Sequence, residues 1–257
     1  MRGFQLNDRL GWSHADVAYG GWGYSVRPPR KLKTGRLPFE ADLSSTLFAI
    51  GALRLAGAPP DDQAIRNALT FVKRCQNFSD DDSRHDPAYD DGGFFFTPAN
   101  RAQNKAGVAG MDGDGVLRYH SYGSTTADGV RALVRCGLAL DHPRVLAARA
   151  WIERNFSTQT NPGVFEPALA ADRDAAWHYW CWSVSHALRL LDVSTIVREG
   201  DEISWARLLA DELVQRQLPD GSWRNSYSFM KEDDPLIATT LAAAALANSR
   251  EVMWPQP

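Results

Sequence analysis

At 257 residues, 44% apolar and 23% charged, the chain is long enough to bury a substantial core and has the wrong composition for a disordered, collagen-like or fibrous protein. A formal net charge of −3, with no Lys/Arg cluster along a helical face, argues against nucleic acid as a partner. No run of about eighteen apolar residues occurs and Met1–Asp8 has no signal-like apolar stretch, so a cytoplasmic protein is expected.

Taken in order, the chain opens with a loop-rich stretch, 1–40, marked by Gly20-Gly21 and Pro28-Pro29. A helix follows in which small residues recur every three positions: Thr46, Ala49, Ala52-Leu53, ending at Gly57. Asp42 or Ser44 is its expected cap. Pro59-Pro60-Asp61 opens a second helix over 61–77 that is charged on one side and apolar on the other. Next comes an inserted loop region, about 78–118, rich in Asp, Gly and Asn. The first pattern then returns at Thr126, Gly129, Ala132-Leu133, again at Cys181, Val184, Ala187-Leu188, and again at Thr239, Ala242, Ala245-Leu246. Amphipathic segments over 142–155 and 204–217 stand between the copies, the first opened by His142-Pro143.

The steps between equivalent alanines are 80, 55 and 58 residues, a repeat of about 55 with the insertion in its first interval. The small-residue segments are expected to be buried inner helices, and the amphipathic ones half-exposed outer helices. The whole is expected to be one all-α domain of repeated helix hairpins, with at most short strand pairs in its loops. Cys75, Cys136 and Cys181 are odd in number, far apart and set among helix formers, which suggests free thiols packed as small hydrophobes in a reducing compartment.

Several strings resemble a known family. Leu213-x3-Gln217-Leu218-Pro219-Asp220-Gly221-Ser222-Trp223 is similar to the QW motif of squalene–hopene cyclases, with looser copies at Val72-x3-Gln76 plus Asp91-Gly92-Gly93-Phe94 and at Tyr19-Gly20-Gly21-Trp22-Gly23-Tyr24. Gly92–Asn100 and Ser121–Thr126 resemble bacterial prenyltransferase and squalene-oxidase repeat proteins. The resemblance runs from about Tyr19 to Asn248. It implies an α/α toroid, incomplete, with seven or eight of twelve helices, the segment from near Trp12 matching the middle of a longer relative.

It also implies chemistry. In such cyclases the middle aspartate of a DxDD motif protonates an alkene or epoxide, and aromatic walls steer the cation. Here Asp42-Leu43-Ser44-Ser45 falls on that motif, which puts Ser44 at the proton-donor position. A serine hydroxyl has no comparable acidity. Asp42 is then the candidate catalytic acid, against its plainer role as a helix cap. The candidate ligand-facing residues are Trp177, Tyr179, Trp180, Trp182 and Tyr122, although neighbours on a helix cannot all face one cavity.

No metal or cofactor is expected. Related protein prenyltransferases place a zinc-binding histidine on an inner helix, where this chain aligns Trp182, and no Asp-x-Cys partner is present. Asp80-Asp81-Asp82 suits a solvated turn, and Asp112-Gly113-Asp114 lacks the further ligands of a calcium loop. The expected partners are an apolar isoprenoid ligand and a second copy or another chain completing the ring, with peripheral membrane contact left open. Two functions stand side by side: a terpenoid-cyclase-like protein that binds or transforms an isoprenoid chain, and a non-catalytic repeat scaffold for another protein.

Overall fold

The computed structural model describes residues 1–32, 41–198 and 200–254. The part of the loop-rich start that falls on 33–40 lies outside the described residues.

Among the described residues there are eight α-helices and two small antiparallel sheets: α1 Leu43–Leu55, α2 Gln63–Arg74, β1 Val108–Met111, β2 Leu117–Tyr119, α3 Gly123–Arg135, α4 Pro143–Asn155, α5 Ala170–Ala175, α6 Trp177–Leu190, β3 Ile196–Arg198, β4 Asp201–Ile203, α7 Trp205–Gln215 and α8 Pro235–Met253. Each sheet is a single hairpin, β1 with β2 and β3 with β4, and both sit in connections between helices. The first hairpin closes the inserted region; α5 is a short turn of helix that the sequence pattern does not announce.

The four small-residue helices pack side by side in a row, α1 on α3, α3 on α6 and α6 on α8, while α2 lies against α1 and α3, α4 against α3, and α7 against α8. Composition explains the arrangement. In α2 the buried positions Ala64, Ile65, Ala68, Phe71 and Val72 fall on one face. In α3 every residue from Gly123 to Leu133 is buried, so its polar groups need partners inside the protein. Close approach depends on the small residues: a Cβ at Gly129 would stand 2.4 Å from the Phe94 ring.

The helix starts agree with their chemistry. Asp42 caps α1 through Ser45, Asp62 rather than Asp61 caps α2 through Ala64, and His142 caps α4 just before Pro143. All three cysteines are free and buried, and burial raises each thiol above its ordinary value, to about 12 for Cys136. No described helix is long and apolar enough to cross a membrane.

A recurring loop device fixes three of the four small-residue helices, α1, α3 and α8. The backbone N–H of Trp22 donates to Thr46 Oγ1 (3.0 Å), that of Phe94 to Thr126 Oγ1 (3.0 Å) and that of Trp223 to Thr239 Oγ1 (3.1 Å). A glutamine amide belongs to each: Gln5 donates to Gly20 O, Gln76 to Gly92 O, and Gln217 to Gly221 O. In the first two units the same amide also reaches the carbonyl of the second residue of an outer helix, Ala64 in α2 (2.8 Å) and Arg144 in α4 (2.9 Å). The glutamine therefore ties a loop to the start of a neighbouring helix. Gln5 lies too far from Gly20 in sequence for the motif spacing to have found it.

Candidate functional site

The repeat register decides which side chains meet where the helices of the row begin. Two positions before Thr46, Thr126 and Cys181 stand Ser44, Ser124 and Tyr179, and all three line one cavity of about 610 Å³. That volume is ordinary for a small-molecule site, roughly 300–1,000 Å³. The cavity sits at the N-terminal ends of α1, α3 and α6. Its walls are largely aromatic or aliphatic: Phe48, Phe96, Tyr122, Leu169, Phe229 and Met230. The inserted region contributes Arg101, Asn104 and Lys105, and Glu166, which accepts from Val108 N (2.7 Å), and Asp172 also line the cavity.

Behind this lining lies a buried polar group. Two positions after Thr46, Thr126 and Cys181 come Phe48, Asp128 and Ser183, so the same helix faces bring Asp128 and Ser183 together beneath Ser44 and Tyr179. Asp128 is fully buried and accepts hydrogen bonds from Ser44 Oγ (2.8 Å), Tyr179 Oη (2.7 Å), Ser183 Oγ (2.6 Å) and Arg131 Nη1 (3.3 Å). These four donors occupy both oxygens of the carboxylate. Arg131 is held in turn by Ser183 and by the Trp182 ring, 4.2 Å from the guanidinium carbon to the centroid.

Asp42 lies beside the cavity and is 2% exposed. Its Oδ1 accepts from Ser45 N (2.7 Å) and its Oδ2 from Ser45 Oγ (2.8 Å), the geometry of a helix cap. Burial raises its pKa from the ordinary 3.8 to about 6, with the Ser45 hydrogen bonds and Lys105 pulling the other way. Tyr24 lines the cavity near enough to Asp42 and Ser45 for both to act on its phenol, which burial raises above its ordinary value. Lys105 points its ammonium over the Phe96 ring (4.2 Å), and burial lowers its pKa.

The expected aromatic residues separate into two sets. Tyr122 and Tyr179 line the cavity. Trp182 backs it by stacking on Phe48 (5.9 Å, 7° between planes). Trp177 and Trp180 turn away: their indole N–H groups donate to Thr158 O and Ser157 O, and Arg216 covers the Trp177 ring. His178 is held by Glu232, which also accepts from the backbone N–H groups of His178 and Tyr179 and so closes the start of α6. Burial and three arginines lower His186 to about 4. Asp80 pairs with Arg144, and Asp112 accepts from Asp114 N and Val116 N in the β1–β2 turn. Among the described residues no group of three or more His, Cys, Asp or Glu is arranged to hold a metal.

Sequence reasoning missed Asp128, Lys105 and Glu232. For Asp128 a signal was present: it is a lone carboxylate in a helix of small residues, and the repeat register puts it one turn after Ser124, the equivalent of Ser44. No known family's sequence profile matches the chain, and no curated protein matches it.

Proposed function

We propose that this chain is an incomplete α/α toroid of the terpenoid cyclase kind, whose central cavity binds an isoprenoid chain. One observation carries the reading: an aromatic-walled cavity of about 610 Å³ lies where α1, α3 and α6 begin, with the buried carboxylate Asp128 directly behind its lining residues Ser44 and Tyr179 and Asp42 bonded to the neighbouring Ser45. Aromatic faces suit an alkene chain and stabilise a nearby positive charge. Buried acid next to such walls is what hydrocarbon protonation requires.

Asp42 is the candidate acid. It is partly protonated near neutral pH, and it bonds Ser45, the neighbour of the lining residue Ser44. Ser44 supplies no acid, and Asp128 is saturated by donors. On this reading wild type does not cyclise squalene by the DxDD route. Incubation with squalene and with C15 and C20 prenyl diphosphates, followed by mass spectrometry of bound and released hydrocarbon, is expected to recover a bound chain. Recovery of none would remove the reading. The double change Ser44→Asp with Ser45→Asp sets a carboxylate against Asp128, where like charge keeps one of the two protonated; a polycyclic product from this variant alone would support the assignment of the motif. Wild-type cyclisation that survives Asp42→Asn would place the acid elsewhere.

The scaffold reading is favoured by the cap geometry of Asp42, which by itself needs no catalysis. A cavity that binds no apolar chain, together with a protein held on the concave side, would decide for it.

A further inference from the structure

The proton count around Asp128 carries an inference about the ligand, which rests on the cavity being an apolar-ligand site. A hydroxyl has one proton to donate. Ser44 and Tyr179 both give theirs to Asp128 Oδ2, at 2.8 and 2.7 Å. Their oxygens are 3.3 Å apart, so neither has a proton left for the other. Both side chains line the cavity, and among the described residues no other group donates to either oxygen. What they turn toward the cavity is a pair of lone-pair acceptors. Burial and the Asp128 charge both raise the Tyr179 phenol far above its ordinary value, which keeps its proton in place.

Asp128 holds this arrangement from behind. Its other oxygen takes Ser183 and Arg131, so the carboxylate cannot rotate to release either hydroxyl without breaking bonds on both sides. Ser44 and Tyr179 are half-buried, so a ligand displaces water from their oxygens without loss only when it brings a donor of its own. A hydrocarbon, an ether or an epoxide brings no proton. A phosphate would set negative charge toward Asp128, although Lys105 also lines the cavity.

We propose that the Ser44–Asp128–Tyr179 group selects an isoprenoid alcohol, whose hydroxyl donates into the Ser44–Tyr179 oxygen pair while its chain lies along Phe48, Phe96 and Tyr122. The alcohol enters as a ligand held by one directed hydrogen bond, and no covalent step is involved.

The test is equilibrium binding of C15 and C20 isoprenoid alcohols, their methyl ethers, the same chains ending in a methyl group, and the monophosphates. The alcohol is expected to bind ~10-fold more tightly than the ether or the hydrocarbon, the worth of one buried hydrogen bond. Ser44→Ala and Tyr179→Phe each remove one acceptor and are expected to reduce that preference. Asp128→Asn turns an amide N–H toward one hydroxyl, frees its proton for the cavity and is expected to raise ether affinity relative to alcohol. Circular dichroism checks that each variant folds, and the two single-hydroxyl variants stand alone if Asp128→Asn does not. Equal affinity for alcohol, ether and hydrocarbon overturns this inference while leaving the cavity reading intact. Tightest binding of the monophosphate also overturns it, by placing the head group at Lys105. Failure of every chain to bind overturns both.

Discussion

At the scale of single residues, Asp42 is pulled two ways. The start of a helix favours a charged carboxylate, and Ser45 donates twice to it. Removal from water favours the neutral acid, and it wins, since the pKa stands at about 6. Between about pH 4 and 6 the folded chain therefore holds a proton that the unfolded chain has lost. Stability from this group is fully present below the unfolded value, falls as pH rises through that window, and is flat above it. Asparagine caps a helix as well as aspartate and cannot ionise. Asp42→Asn is thus expected to gain on wild type between pH 4 and pH 7.5 by up to ~3 kcal/mol, the equivalent of moving from 3.8 to about 6. Urea unfolding at the two pH values measures it; a constant difference would mean that Asp42 is already ionised at pH 4 and is only a cap. The cap itself was legible in the sequence, because aspartate at a loop-to-helix junction is a local signal. The acceptor group around Asp128 was not, because its partners lie 84 and 51 residues away and only the folded row of helices brings them together.

At the scale of elements, the repeat explains both what sequence foretold and what it could not. Small residues every three positions define a helix face, so α1, α3, α6 and α8 were visible as helices that pack on one another, although α8, expected to be buried, buries only that one face, and the charged-and-apolar texture marked α2, α4 and α7. Short strand pairs in the loops were allowed for, but the place of β1–β2 was not visible, since an Asp- and Gly-rich insertion has no periodicity to read. Equivalent loops also differ in their surroundings. Gly92 has φ +87°, and a Cβ there would stand 2.7 Å from Ala147 O, the fifth residue of α4. Gly20 meets Asn67 O, the fifth residue of α2, still more closely. Gly221 has φ +84° but nothing nearer than the Gln217 amide at 3.8 Å. Alanine at Gly221 is expected to cost ~1–2 kcal/mol, the left-handed backbone alone. Alanine at Gly20 or Gly92 must in addition push a helix aside, and a clearly larger loss is expected. Denaturant midpoints for the three variants test this, and equal losses would mean that the close approach to α2 and α4 carries no energy.

At the scale of the whole molecule, the same comparison shows an unfilled place. Gln5 and Gln76 each tie their loop to the start of an outer helix, whereas the Gln217 amide reaches only Gly221 O in its own loop. The α8 end of the row thus has the loop device without the helix it holds elsewhere. Apolar side chains are exposed at this end, Val214 at 60%, Leu236 at 77% and Ile237 at 38%. Exposed apolar side chains at one end of a repeat array favour association. We expect a second copy to cover them, so that the sedimentation coefficient rises with concentration across the micromolar range. Leu236→Glu with Val214→Glu charges this end without touching the buried positions Leu213 and Ala238, and is expected to shift the chain toward monomer with its helical circular dichroism unchanged. A wild-type chain that stays monomeric at the highest concentration would show that Val214, Leu236 and Ile237 are tolerated in water. The Gln217 loop would then act only as the local stop of α7, held by the Trp223 indole bond to Leu213 O at 2.7 Å.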